Sequence, residues 1–158
     1  MAKSDKSSKK NKKSIEQERT EEINALIGEM TLEEKVSLML HESMAVPRLG
    51  IPEYNWWNEG LHGVARNGAA TVFPQAIGLA ATWDTELAKK EYSVISDEAR
   101  AKYNESVKKG NRGQFAGLTF WTPNINIVRD PRWGRAQETF GEDPVLTSEM
   151  GIAAVKGL

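Results

Sequence analysis

Apolar side chains recur at helical spacing in several stretches of the chain. The first stretch is opened by Ser14 and Gln17 in a capping-box spacing. Its apolar residues form one narrow stripe, which is expected to be packed: Ile15, Ile23, Leu26, Ile27 and Met30. Thr31 and Glu34 repeat the capping-box spacing, which predicts a short second helix that ends before Pro47.

The second half of the chain repeats this alternation of caps and apolar faces. Small apolar residues at 73–81 predict a turn of helix, and Asp84 or Thr85 is expected to cap a long helix that runs to about Lys109. Asp143 caps a last helix with Pro144 at its first position. That helix presents an apolar stripe that something should cover: Met150, Ile152, Val155 and Leu158.

Two stretches between these helices are predicted to be strands, residues 53–58 and the β-branched and aromatic run at 118–128, which Pro123 interrupts. Strands separated by long helices predict right-handed β-α-β units in a parallel sheet. Parallel sheets need both faces covered, and two such steps are too few to provide this. The sequence therefore predicts a truncated piece of a larger α/β fold.

Residues 1–13 hold six lysines and almost no apolar side chains. Such a composition cannot offset the entropy of ordering, so we predict a disordered tail at 1–13 and a folded domain over 14–158. Binding of nucleic acid by the tail, or its use as a targeting address, is the less favoured alternative. No apolar segment of a secretory signal follows, and we expect a cytoplasmic location, or secretion if Met1 is not the native start.

The net charge and the residue content limit the kinds of partner that the sequence predicts. The net charge is −1, which gives no reason to expect a nucleic acid or a membrane surface as partner. Cysteine is absent, so no disulfide or thiolate metal site can form. His41 and His62 are too few to suggest a zinc site, and we expect neither a metal nor a cofactor.

Three segments at or beyond the ends of the predicted strands contain the candidate functional residues: 55–63, 120–124 and 129–135. Ligands of parallel α/β folds bind at this edge of the sheet. Sugars offer an apolar face and a fringe of hydroxyls, so their sites combine flat aromatic rings with carboxylates and guanidinium groups. The candidate sugar-binding residues of these types are Trp57, Glu59, Trp121 and Arg135.

Each candidate also has a purely structural interpretation. A tryptophan at a sheet end is more often a core anchor, and Glu59 could be a cap or a loop salt bridge. The alternating charges from Arg129 to Asp143 would suit a solvated ion-pair loop. We interpret His62 as a residue that orients its loop.

Four strings occur in one order along residues 30–158: MTLEEKVSLM, NWWNEGLHGVA, FPQAIGLAATWD and TFWTPNINIVRDPRWGRAQETFGEDP. In these strings the chain resembles glycoside hydrolase family 3, especially its β-xylosidase-like members. The resemblance implies a (β/α)8 TIM-type barrel followed by a second α/β domain, and a retaining mechanism. It also implies that Glu59 holds a sugar hydroxyl, that Trp57 and Trp121 line the pocket, and that Arg135 binds sugar.

The resemblance assigns no catalytic residue to this chain. The family's nucleophilic aspartate, its acid/base glutamate and a sugar-binding lysine–histidine pair lie further along, and Ser96-Asp97 only superficially resembles the nucleophile's neighbourhood. A barrel takes about 250 residues, so we expect the amino-terminal portion, roughly half, of one. The expected partners are the missing half, the second domain, and an oligosaccharide or an aryl or alkyl β-glycoside.

We therefore expect part of a β-xylosidase or β-glucosidase, with a lean towards xylose, and no hydrolysis by these residues alone. The alternative is a non-catalytic carbohydrate-binding remnant or interaction module.

Overall fold

The computed structural model describes the backbone of residues 2–158 and the side chains of residues 14–158. The chain divides into two compact units, the first ending at Pro52 and the second spanning Glu53–Leu158. No helix in the described part of the chain is long and apolar enough to cross a membrane.

The first unit contains helix α1 (Ala2–Glu29), helix α2 (Leu32–Ser37), the short strand β1 (Glu42–Ser43) and a 3₁₀ turn at Pro47–Leu49. The capping box predicted for α2 is confirmed: Glu34 N donates to Thr31 Oγ1 at 3.3 Å, and Thr31 N donates to Glu34 Oε2 at 2.8 Å. Arg48 donates to Glu34 and to the carbonyl of Glu29, so it ties the 3₁₀ turn to the α1–α2 junction.

Helix α1 differs from the sequence prediction at both of its predicted features. It begins at Ala2, so Ser14 and Gln17 do not mark its first turn. Its apolar stripe is exposed, with Ile23 at 56% exposure, and only Met30 after its end is buried. The disordered tail at 1–13 stays a prediction, because Met1 and the side chains of residues 2–13 lie outside the described residues.

The second unit contains strand β2 (Tyr54–Asn55), helices α3 (Ala76–Ala80), α4 (Thr85–Lys108) and α5 (Pro144–Gly157), and a 3₁₀ turn at Ala136–Glu138. The predicted caps are confirmed, because Asp84 accepts from Leu87 N at 2.9 Å and Asp143 accepts from Leu146 N at 2.7 Å. Each cap satisfies an amide that the helix itself cannot pair.

Helices α4 and α5 form the centre of the core in this unit. Its fully buried large side chains include Tyr92, Ile95, Phe140 and Met150. Gly157 permits the close approach of the two helices, since a Cβ there would stand 2.5 Å from the carbonyl oxygen of Lys89. Ser96 lies within α4, as the sequence indicates, and its hydroxyl donates to the carbonyl of Leu158 at 2.7 Å.

The apolar stripe predicted for α5 is wrong as a single surface. Met150 is fully buried, whereas Ile152 is 49% exposed and Val155 is 64% exposed. Positions two and five residues beyond Met150 fall on other sides of a 3.6-residue helix, so the three side chains cannot share one face.

Parallel pairing joins successive segments of the second unit. Asn58 bridges Phe120 in parallel, and Asn124 bridges Thr139 in parallel. Because α4 lies between the first two segments, the predicted β-α-β order is present.

The long strands predicted at 53–58 and 118–128 are reduced to β2 and these isolated bridges. Side chains take the hydrogen bonds that a ladder would use: Leu118 N donates to the Tyr54 hydroxyl at 2.7 Å, and Gly117 N donates to Asn58 Oδ1 at 2.7 Å. Pro123 in addition lacks the amide that a ladder requires.

Candidate functional site

A cleft of about 980 Å³ opens in the second unit where the bridged segments end. Its walls come from residues 59–66, residues 120–125 and the 3₁₀ turn, with Val72 and Gln75 at one side. Three of the predicted site residues line it: Glu59, Trp121 and Arg135. Trp57 is in contact with two of these residues, so the structure brings all four together.

Asn58 fixes the position of the first wall. It is 1% exposed, and its amide nitrogen donates to the carbonyl oxygens of Asn55 at 3.3 Å and Thr119 at 2.9 Å. Its oxygen accepts from Gly117 N. A buried amide with its hydrogen bonds satisfied joins the two segments rigidly. Trp57 and Glu59, on either side of it in sequence, are more exposed.

The carboxylate of Glu59 is held at both of its oxygens. Trp57 Nε1 donates to Oε1 at 3.1 Å, and Arg66 Nε lies 3.3 Å from Oε2. The guanidinium of Arg66 also lies 5.5 Å from the ring centre of Phe115, within the range of a cation–π contact. The predicted alternative of a loop salt bridge for Glu59 is therefore present together with its place in the cleft.

Arg66 is the site residue that the sequence reasoning missed. Its backbone lies in the left-handed region at φ 60°, which is uncommon for a residue other than glycine. Only its position in the same glycine-rich loop as Glu59 could have drawn attention to it, because no local periodicity relates the two residues.

Arg135 is oriented by a second acidic residue. Its Nε lies 2.9 Å from each carboxylate oxygen of Glu138. Hydrogen bonding to Glu138 raises the pKa of Arg135, and the charge of Glu59 adds to this effect. The same contact lowers the pKa of Glu138, so both groups stay charged.

The two predicted charged residues, Glu59 and Arg135, do not pair with each other. Glu59 pairs with Arg66, and Arg135 pairs with Glu138. Two ion pairs therefore line the cleft, and their four charges sum to zero. The predicted ion-pair loop around Arg135 exists, and one of its pairs faces the cleft.

Two indole rings form an aromatic wall beside these charges. The ring centres of Trp57 and Trp121 lie 5.7 Å apart at an interplanar angle of 50°. Trp57 is 38% exposed and Trp121 is 65% exposed. Neither ring is a buried core anchor, and each indole keeps part of its surface exposed.

The back of the cleft is secured by hydrogen bonds to the loop around His62. His62 Nδ1 donates to the Phe73 carbonyl at 3.0 Å, and Phe73 N donates to the His62 carbonyl at 2.8 Å. These contacts support the interpretation of His62 as a loop-orienting residue. Among the described side chains, no group of three or more His, Asp or Glu residues could hold a metal ion.

Comparison with known proteins assigns this architecture to a family. Residues 6–158 match the family model described as the glycosyl hydrolase family 3 N terminal domain. A xylan 1,4-beta-xylosidase of Xylanibacter ruminicola is 52% identical over 135 residues, and the match covers 84% of this chain and 16% of that protein. Beta-D-xylosidase 3 of Arabidopsis thaliana is 48% identical over 146 residues, with 86% and 18% covered. The chain thus spans less than one fifth of the length of either relative.

Solved structures agree with this assignment. A GH3 exo-beta-xylosidase, XlnD, in complex with a xylobiose aziridine probe superposes with a TM-score of 0.70 at 35% identity, over 85% of this chain and 18% of that one. Beta-glucosidase 3B from Thermotoga neapolitana gives a TM-score of 0.67 at 30% identity, over 86% and 21%. The fold is therefore TIM-barrel-like, with the helices and short parallel pairings described above.

Proposed function

The chain belongs to glycosyl hydrolase family 3, and we propose that it forms the amino-terminal part of a glycosidase that releases terminal, non-reducing β-linked sugars. The observation that carries this proposal is the convergence of two indole rings and two ion pairs on one cleft. The cleft and the matched relatives favour a β-xylosidase or β-glucosidase type of activity, with xylosides preferred.

Each predicted residue has a physical role in this proposal. Glu59 accepts hydrogen bonds from sugar hydroxyls, and a carboxylate can accept two neighbouring hydroxyls at once. Arg135, held in orientation by Glu138, donates to a hydroxyl on the other side of the ring. Trp57 and Trp121 offer flat surfaces to the apolar face of the sugar.

We propose that the protein works with retention of configuration. Retention requires two carboxyl groups roughly 5 Å apart, one as nucleophile and one as acid and then base. Glu59 and Glu138 are each held by an arginine, which suits binding better than proton transfer. Both reacting carboxyls are proposed to come from further along the protein, so residues 1–158 alone are expected to hydrolyse nothing.

The first experiment compares residues 1–158 with the complete protein on a nitrophenyl β-xyloside and a nitrophenyl β-glucoside. We expect turnover by the complete protein only. Hydrolysis by the rigorously purified 158-residue chain would contradict the proposed division of the site.

The second experiment tests Glu59 in the complete protein. Glu59→Ala is expected to lower kcat/KM by about 100-fold, because a charge-assisted hydrogen bond in a desolvated site is worth about 2 to 3 kcal/mol. Glu53→Ala is the matched control, since Glu53 is exposed and lies outside the residues that line the cleft. Near-normal kinetics of Glu59→Ala would remove Glu59 from the sugar site.

A second candidate function follows from the character of the cleft residues. The four predicted side chains are suited to binding and none to bond cleavage, which favours a non-catalytic carbohydrate-binding module as the alternative. Titration calorimetry with xylose and xylobiose separates the two functions. Sugar binding without turnover by the complete protein would favour the module.

A further inference from the structure

Two side chains of α4 form hydrogen bonds with the loop that follows Arg66. Glu98 Oε2 accepts from Thr71 N at 3.0 Å, and Glu98 Oε1 accepts from the Thr71 hydroxyl at 2.5 Å. Lys102 Nζ donates to the carbonyl oxygens of Asn67 at 2.9 Å and Ala69 at 2.6 Å. Residues four apart on a helix lie on one face, so the two side chains act on the loop from the same side.

This loop, residues 67–71, is packed directly against the turn that follows Glu59. Gly63 has φ 128°, and a Cβ at this position would stand 2.2 Å from the carbonyl oxygen of Thr71. Ala65 N donates to the Glu59 carbonyl at 2.9 Å, which closes the turn from 59 to 65. A displacement of Thr71 is therefore transmitted to the turn that carries Glu59 at one end and leads into Arg66 at the other.

Part of this loop is held by other contacts, because Ala70 and, just after the loop, Phe73 pack against the core. It contains small side chains at Gly68, Ala69 and Ala70, and both Arg66 and Gly68 adopt left-handed backbone conformations. Glycine-rich, poorly buried segments open at low free-energy cost. The four hydrogen bonds from α4 add to the order that this packing provides.

From these contacts we propose that Glu98 and Lys102 are positioning residues that set the Glu59–Arg66 pair at the spacing required to receive a sugar. The inference rests on the proposed sugar-binding function. Neither residue is among those that line the cleft, so their effect passes through the loop. A loop that is already ordered loses less entropy when sugar binds, and this preorganisation raises affinity.

The test uses the complete protein and a nitrophenyl β-xyloside. Glu98→Ala and Lys102→Met are each expected to raise KM by about 5- to 10-fold, the effect of losing one or two net hydrogen bonds, with kcat changed less than about twofold. Lys102→Arg keeps a cationic donor and is expected to recover most of the affinity.

A matched pair on the same helix provides the control. Lys108 donates to Glu105 at 2.6 Å, and both side chains are exposed. Glu105→Ala and Lys108→Met make the same changes of charge on α4, and we expect KM to be unchanged in both.

Hydrogen exchange of residues 67–73, measured by mass spectrometry, separates positioning from general stability. We expect faster exchange in Glu98→Ala with an unchanged Tm. Faster exchange with an unchanged KM would overturn the proposal, as would unchanged exchange. A lower kcat at constant KM with a lower Tm would show a role in folding alone and would also overturn it. A wild-type protein that hydrolyses no β-xyloside or β-glucoside would instead refute the proposed function, and with it the proposed role of Glu98 and Lys102 in sugar binding.

Discussion

At the scale of single residues, buried polar side chains of the second unit replace backbone pairing. Asn58 joins two segments through two hydrogen bonds, to Thr119 and from Gly117, and the Tyr92 hydroxyl donates to the carbonyl of Leu61 at 3.0 Å. Each such group loses its solvation on folding and must be compensated by a partner. The cleft wall is thus fixed by particular side chains, and its stability should respond to the ionisation of Tyr92.

Tyr92 provides a test of this dependence. It is fully buried, and burial raises the pKa of its phenol to about 12. A folded-state pKa above the unfolded value means that the stabilisation is complete below pH 10 and is lost as the pH rises towards about 12. We expect the free energy of unfolding to fall by about 2 kcal/mol across this window.

Denaturant titrations across that pH range measure the effect. Tyr92→Phe should be less stable near neutral pH by about 1 kcal/mol or more, because the Leu61 carbonyl loses its donor, but its alkaline loss should be smaller. Tyr103→Phe, on the same helix and only partly buried, is the matched control and should retain the wild-type alkaline loss. Identical pH profiles for Tyr92→Phe and wild type would contradict the assignment.

At the scale of elements, α4 does more than fill the core. It packs on α5 through one face, and it forms hydrogen bonds with the loop beside the cleft through Glu98 and Lys102. The stability of the first turn of α4 therefore matters both for packing on α5 and for the contacts with the loop. That turn is a local feature, in which Asp84 accepts from Leu87 N.

Removing this cap should weaken the second unit. Asp84→Ala is expected to lower the free energy of unfolding by about 1 kcal/mol, whereas Asp84→Asn keeps an acceptor and should cost less. Asp97→Ala, an exposed aspartate within the same helix, should change stability by less than about 0.5 kcal/mol. Equal effects of Asp84→Ala and Asp97→Ala in equilibrium unfolding would exclude a capping role.

At the scale of the whole molecule, the 158-residue chain carries apolar surface that no described residue covers. On α5, Val145 is 70% exposed, Val155 is 64% exposed and Ile152 is 49% exposed. Apolar side chains clustered on one exposed helix promote association. The same helix buries Met150 and Ala154 against the core, so it is apolar over much of its circumference.

We expect the isolated chain to self-associate through this surface. Its apparent mass in light scattering should rise with concentration, and Ile152→Gln with Val155→Gln should reduce that rise. The matched control, Ser148→Gln with Glu149→Gln, changes exposed polar positions of the same helix and should have no such effect. A monomeric wild-type chain at all concentrations would contradict the prediction.

The sequence by itself determined the features that depend on neighbours three or four residues away. Thr31, Asp84 and Asp143 cap helices as predicted, because a capping side chain reaches only its own first turn. The motif strings likewise identified the family and the segments that meet at the cleft.

Only the tertiary structure decided which partners these residues take. Glu59 pairs with Arg66 rather than with Arg135, and Thr71 pairs with Glu98, which lies 27 residues away. It also decided that the predicted strands are short and that α5 exposes Ile152 while burying Met150. Such pairings depend on how distant segments pack, and local spacing carries no information about the distance between side chains that the fold brings together.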